Sequence, residues 1–407
     1  MPDILSQGGG RESGPWPRRV AAVAVLALVA VLIVHYLPQS RHRTARPTRA
    51  AVTVTPPPAV SSAVSGGAGV VAEPDGITGQ ISSWPGGLRL PATGERPVWF
   101  WPATGQVTRI GGLPPQRSGY QFTRAAGGWA VQAGPGAQAG CGSCAGSQRA
   151  VYFLADSGRS ATRAGLADAV APGVPGTLWL TSYRPDAAAR TAAGVAREVS
   201  IAGRQLGPQF RLPAGYLIEQ GTSRGLLLVP VASQAGMIAD KLWDPAARQA
   251  SRTFDGVIAA SATQIAWSPS CVARCRVQVL NLATGRRASV ELPAASSVAN
   301  AAFSPDGSSL VIQVSFSDNT ANGARAVQLE RVSLASGRLT TVPHTWVSSD
   351  ALIGFGWPAS SDNLVAEFGF TTKVQLASWR PGASRLAIAV IRPQHSPASL
   401  VIGQHAS

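Results

Sequence analysis

The sequence has almost no lysine: of its 35 basic residues only Lys241 and Lys373 are not arginine. It is also poor in cysteine, with 4, in histidine, with 5, and in charge, since Asp, Glu, Lys and Arg together make up 14% of its 407 residues. So little charge argues against long surface helices, while 44 Gly and 31 Pro suit short strands joined by tight turns. No dense Lys/Arg run accompanies the formal charge of +15, so the signature of a nucleic-acid groove is missing. Residues 1–74 carry seven Arg against Asp3, Glu12 and Glu73, a net +4, and the remaining +11 is scattered over residues 75–407. Scattered arginine reads as a solvated surface with a GC-rich genome's bias; diffuse attraction to acidic envelope polymers or anionic lipid is the alternative.

One long apolar run is present. Residues Val20–Leu37, VAAVAVLALVAVLIVHYL, hold 18 residues without a charge. As a helix they extend about 27 Å, close to the thickness of a bilayer's hydrocarbon core. The run is longer than the apolar core of a signal peptide and leads into His35, Tyr36, Leu37 and Pro38. An uncleaved anchor is therefore expected, with cleavage near Ala50 as the alternative. Arg11, Arg18 and Arg19 before it are balanced by Arg41, Arg43, Arg46 and Arg49 after it, so charge does not orient the helix. The short tail, 1–19, and the two close cysteine pairs in the large domain place residues 75–407 outside the cell, with 1–19 cytoplasmic.

Residues 38–74 are rich in Pro, Ala, Ser, Thr and Gly and have too little apolar content to bury, which makes them a linker. Extended, it would hold the domain up to about 100 Å from the membrane. Residues 75–407 are enough for one large all-β domain.

That domain repeats a turn. It occurs as Ala103-Thr104-Gly105-Gln106, Asp156-Ser157-Gly158-Arg159, Ala283-Thr284-Gly285-Arg286 and Ala335-Ser336-Gly337-Arg338. Looser versions lie at Arg184–Ala188, Asp244–Arg248 and Arg380–Ser384. Gly after Ser or Thr supplies the positive φ of a tight hairpin, and alternating runs such as 276–282 and 327–334 supply its strands. Seven turns centred on 105, 158, 187, 247, 285, 337 and 382 are spaced about 46 residues apart on average, the length of a four-stranded propeller blade. Single spacings run from 29 to 60. A second signature, Ile265-Ala266-Trp267-Ser268-Pro269 and Ala301-Ala302-Phe303-Ser304-Pro305-Asp306-Gly307, with an echo at Phe355-Gly356-Trp357-Pro358, is expected to end the first strand of a blade.

The stretch AAFSPDGSSLVI at 301–312 resembles the repeat of TolB-type and WD-like propellers. The resemblance implies a fold and no activity: an all-β propeller of about seven, six to seven, four-stranded blades over residues 75–407. Trp267 and Phe303, which could stack on a ligand, are expected to pack between blades.

Motifs that suggest chemistry have simpler readings. Cys141-Gly142-Ser143-Cys144 and Cys271-Val272-Ala273-Arg274-Cys275 lie about 130 residues apart, too far for easy convergence on a metal. Local structural disulfides, Cys141 to Cys144 and Cys271 to Cys275, are expected, with free thiols or a redox or metal role as alternatives. Gly221-Thr222-Ser223-Arg224-Gly225 fits the nucleophile elbow G-x-S-x-G, yet a strand-like run, 226–231, follows where a helix is required, so a hairpin tip is expected. Leu90-Pro91-Ala92-Thr93-Gly94 matches a sorting signal in the wrong part of the chain. Asp318–Gly323 resembles a calcium loop, but the twelfth position is Leu329, where a bidentate Glu is needed.

No catalytic, cofactor-binding or metal-binding residue is therefore expected. The reading that results is a membrane-anchored, extracytoplasmic binding or scaffold module whose partner is an envelope protein or glycan, without nucleic acid. A propeller hydrolase or lyase with carboxylates at the mouth of the central channel is the alternative, and a sensor acting through residues 1–19 is a third.

Overall fold

Leu226, Leu227 and Leu228 are adjacent and all fully buried, yet they belong to two different cores. Leu226 and Leu228 pack with Ala171 and Trp179, whereas Leu227 packs with Ile265 and Leu280. Side chains alternate across a strand, so a strand covered on both faces reads as an unbroken apolar run. This is the middle of a propeller blade.

The computed structural model describes residues 77, 84–134, 148–185, 192–230, 239–269, 275–294, 296–319, 325–358, 362–370, 373–391, 399–402 and 404–405. They belong to one compact unit, Ser62–Ser407. The expected anchor 20–37, the linker 38–74, and Cys141, Cys144 and Cys271 lie outside the described residues. Among those described, every regular element is a β-strand, and no helix is long and apolar enough to cross a membrane.

The strands form seven antiparallel sheets. Blade 1 holds β1 (Leu90–Thr93), β2 (Val98–Trp101) and β3 (Gln106–Arg109). Blade 2 holds β4 (Tyr120–Ala125), β5 (Gly128–Ala133), β6 (Arg149–Ala155) and β7 (Thr162–Ala167). Blade 3 holds β8 (Ala169–Pro172), β9 (Thr177–Pro185), β10 (Ala192–Ser200) and β11 (Phe210–Arg211), and blade 4 holds β12 (Tyr216–Thr222), β13 (Gly225–Pro230), β14 (Asp240–Asp244) and β15 (Gln249–Phe254). Blade 5 holds β16 (Val257–Ala260), β17 (Gln264–Trp267), β18 (Arg276–Asn281) and β19 (Arg287–Glu291). Blade 6 holds β20 (Ser296–Phe303), β21 (Ser309–Asn319), β22 (Arg325–Ser333) and β23 (Leu339–Thr341), with β24 (Val347–Ser348) also paired to β22. Blade 7 holds β25 (Leu352–Gly356), β26 (Leu364–Phe370), β27 (Lys373–Trp379) and β28 (Ala387–Ile391).

Residues near 400 close the ring. Strand β29 (Ser399–Leu400) pairs with β1 through Ala92 and Thr93 and completes blade 1, while β30 (Gln404–His405) pairs with β25. Among the described residues, seven apolar clusters fill the seven interfaces between successive blades, including the one joining blade 7 to blade 1. The fold is thus an all-β, seven-bladed propeller. Trp267 packs edge-on against Phe254 of blade 4 at 5.2 Å between ring centres, as expected of an inter-blade residue, and Phe303 is half-buried against the core between blades 5 and 6.

Two details of the repeat are corrected. Six of the expected turns join the third and fourth strands of their blades, but 184–188 falls between the second and third strands of blade 3. The equivalent turn of that blade is Ile201-Ala202-Gly203-Arg204, with Gly203 at φ 83°. With 203 in place of 187 the spacings become 53, 45, 44, 38, 52 and 45, a narrower range. In three blades the glycine N–H closes this turn on the carbonyl four residues back: Gly105 on Trp101, Gly285 on Asn281 and Gly337 on Ser333. Blade 4 uses Arg248 at φ 53° instead, and Gly158 does not have positive φ. The second correction concerns Ile265–Pro269, which ends the second strand of blade 5; Phe303–Gly307 and Phe355–Pro358 do follow first strands.

Candidate functional site

The first strands of successive blades are neighbours, β4 beside β8, β8 beside β12, β16 beside β20 and β20 beside β25, and so surround a central axis. At the end where first strands turn into second strands lies a cavity of about 660 Å³, lined by residues of blades 2 to 7. Six blades converge on it, which makes it the natural candidate site.

Its rim is held by bonds that cross from blade to blade. Gln220 Nε2 of blade 4 donates to the Gly173 carbonyl of blade 3 at 3.3 Å, and the Ser223 N–H donates to the Ala262 carbonyl of blade 5 at 2.7 Å. Gln264 Nε2 of blade 5 reaches the Gly307 carbonyl of blade 6 at 3.0 Å. On the blade 1 side, Arg89 donates to the carbonyls of Asp156 and Gly158 while stacking over Trp99 at 4.0 Å. Rim charges are tied down within their own blades. Arg124 forms a two-pronged pair with Asp156, at 2.5 and 2.8 Å. Asp306 accepts from Ser304 Oγ at 2.5 Å and from the Ser308 N–H at 3.0 Å, and these bonds, the Ser304 hydroxyl first, hold its carboxyl below the usual range. The Ser-Pro-Asp-Gly motif is therefore a turn builder at the mouth.

Deeper in the cavity stands Glu219. Register skips one residue at a corresponding place in four first strands: Glu219 in β12, Ile258 in β16, Ala299 in β20 and Ile353 in β25. A bulge sets two residues against one and re-aims a side chain, here towards the axis for Glu219. Glu219 is open to the cavity yet ringed by protein, and that desolvation, with the charge of Asp240 adding to it, pushes its carboxyl above the usual range. Asp240 is also raised, chiefly by burial, although it accepts the Val257 N–H at 2.9 Å.

The sequence motifs fall as follows. Ser223 and Arg224 form the exposed two-residue tip between β12 and β13 of blade 4, and His344, a histidine downstream of this elbow-like sequence, lies two blades further on, between β23 and β24 of blade 6. No serine–histidine pair is assembled from them. Leu90 and Ala92 of the sorting-like sequence are fully buried in β1. Asp318 and Asn319 end β21, and 320–323 lie outside the described residues. Of the cysteines only Cys275 is described; it is buried at the start of blade 5's third strand and is not a free thiol. Glu219, Glu330 and Glu367 lie within strands, in β12, β22 and β26. The signal for Glu219 was the polar pair Glu219-Gln220 interrupting an apolar strand, and its meaning depends on a bulge that sequence periodicity does not show.

No protein family matches the chain, and no curated protein does. Among solved structures it is similar to TolB from Acinetobacter baumannii, at 9% identity and TM-score 0.38, over 78% of this chain and 65% of that one. It is similar to a prolyl endopeptidase at 11% identity and TM-score 0.44, over 75% of this chain and half of that one, covering 50%. A third similarity, to the apocarotenoid oxygenase of Synechocystis, has 11% identity and TM-score 0.42 over 82% of this chain and 95% of that one. At such identities these likenesses concern the fold, and they include both enzymes and a protein that is not named as one.

Proposed function

We propose that the chain is a non-catalytic binding or scaffold module, anchored in the membrane by residues 20–37 and held outside the cell on the linker 38–74, which offers the mouth of its channel to an envelope protein or glycan. The observation that carries this reading is the mouth itself: a cavity of about 660 Å³ framed by the turns of six blades and braced from blade to blade, with Arg124 and Asp306 tied into the frame. Such a rim presents carbonyls, hydroxyls and small apolar groups on a rigid scaffold, the composition suited to recognition. The close pairs Cys141/Cys144 and Cys271/Cys275 support the oxidising compartment, each pair as a local disulfide.

Site-specific photocrosslinking in intact cells tests it. A crosslinker at the exposed rim position Thr263 should yield discrete adducts with envelope components, and one at Val107, exposed on the outer strand of blade 1, should not. Adducts from neither position, or from both alike, would remove the channel mouth as the site. External protease on the same cells should cut within the linker; complete protection would reverse the topology.

One observation favours the alternative of a propeller hydrolase or lyase. Glu219 is a carboxyl raised above its usual range and facing a cavity, the state a general acid requires. Glu219→Gln should leave binding at the mouth in place under the binding reading and abolish turnover under the other.

A further inference from the structure

A second cavity, of about 280 Å³, lies away from the channel mouth, where blade 2 hands over to blade 3. Asp168 is the single residue between β7, the last strand of blade 2, and β8, the first of blade 3. Its surroundings fix it on three sides. The Asp168 N–H donates to the Thr181 carbonyl at 2.9 Å, its own carbonyl accepts from Gln132 Nε2 at 2.9 Å, and its Oδ2 accepts the Tyr183 N–H at 2.8 Å. The fourth polar atom, Oδ1, has no hydrogen-bond partner in the protein although the residue is only 2% exposed.

The Tyr183 hydroxyl is buried on the same cavity; Thr181 donates to its oxygen, and its own proton has no acceptor in the protein. Burial raises its pKa, so it stays a neutral O–H able to donate. A buried polar group without a partner costs about 1–3 kcal/mol, and two on one small cavity are not expected unless something else binds them. The remaining polar lining complements them. Gln148 is held by its bond to Ser182 Oγ at 2.9 Å, and Arg197 is steadied by donating to the Leu166 carbonyl at 3.0 Å, which leaves further guanidinium N–H groups. Leu180 and Val195 supply apolar wall.

An unpaired carboxylate oxygen, a guanidinium and a hydroxyl donor around one cavity with room for only a small molecule define a chemistry. We propose that this cavity binds a free α-amino acid, its ammonium group donating to Asp168 Oδ1 and its carboxylate accepting from Arg197 and the Tyr183 hydroxyl. The site is separate from the channel mouth and does not depend on what binds there.

Titration calorimetry on the full-length protein in detergent tests this, with the proteinogenic amino acids offered one at a time and with methylammonium and acetate as half-ligands. At least one amino acid should bind saturably below about 10 mM, a free energy within reach of a few charged hydrogen bonds, and each half-ligand at least about tenfold more weakly. Asp168→Asn keeps an oxygen for the Tyr183 N–H but replaces the carboxyl, and it should weaken binding about tenfold or more; Tyr183→Phe should weaken it measurably and carries the test if Asp168→Asn does not fold. No saturable binding up to about 10 mM, or affinity unchanged in both variants, overturns the proposal. So does a high-resolution structure, grown with the amino acids present, in which a water alone bridges Asp168 Oδ1 and the Tyr183 hydroxyl.

Discussion

Gln264 of blade 5 donates from Nε2 to the carbonyl of Gly307, the positive-φ residue of blade 6's Ser-Pro-Asp-Gly turn, at 3.0 Å. The bond joins the mouth end of one blade's second strand to the next blade's turn, and it is partly shielded from water. Gln264→Ala should therefore cost about 1–2 kcal/mol in urea denaturation and speed amide exchange in the 304–309 turn ahead of the rest of blade 6. Uniform acceleration across the blade would show that the turn does not depend on this bond.

Glu367 gives the molecule a pH dependence of definite sign. Burial alone pushes its carboxyl from 4.5 up to about 7. Between those values the folded protein holds a proton that the unfolded chain has released, so its contribution to stability is full below about pH 4.5 and is lost as pH rises through about 7. Glu367→Gln should remove that slope and, near pH 8, be more stable than the parent by on the order of 3 kcal/mol. Chemical denaturation of both proteins across this range reads the difference directly; a gap that does not change with pH would mean that Glu367 is ionised throughout.

Two turn glycines should respond very differently to a methyl group. At Gly225, φ is 125° and a Cβ would lie 2.3 Å from the Trp243 carbonyl oxygen, whereas at Gly285, φ is 71° and nothing lies within 4 Å. Gly285→Ala is expected to cost about 1 kcal/mol, the conformational penalty alone. Gly225→Ala must also displace backbone of β14 and should lose about 3 kcal/mol or more, visible as a fall in melting temperature several times larger.

Ser223→Ala should leave stability within about 0.5 kcal/mol and binding unchanged, because Ser223 is exposed at a hairpin tip and its backbone N–H, which does bridge to Ala262, survives the substitution. Treatment with a fluorophosphonate probe should label nothing at this position. Stoichiometric labelling there would make the chain a serine enzyme.

The propeller was legible in sequence where local chemistry repeats. Gly105, Gly285, Gly337 and Gly382 all have positive φ, which leaves a readable mark because few other residues tolerate it. Blade 3 escaped because Ala202-Gly203 lacks the Ser or Thr of its counterparts, while Arg184-Pro185 drew attention to a hairpin one strand too early. The cavity residues were not legible for a different reason. Asp168 is an ordinary acidic residue until the chain's crossing between blades buries it, and Glu219 is an ordinary strand residue until a bulge turns it inward. Both properties come from pairing between distant segments, to which periodicity within one strand is blind.

The pairing of β29 with β1 has a consequence for how the molecule is made. The strand that completes blade 1 is synthesised roughly 300 residues after β1, which at about 5–20 residues per second takes on the order of half a minute. Throughout that interval Ala92 and Thr93 offer an open strand edge, and the apolar side of Leu90 that will meet Val365 and Leu376 has nothing to meet. The nascent chain therefore carries a sticky, unfinished flank throughout that interval, and a holding factor that covers this flank would govern its yield more than the intrinsic stability of the finished ring.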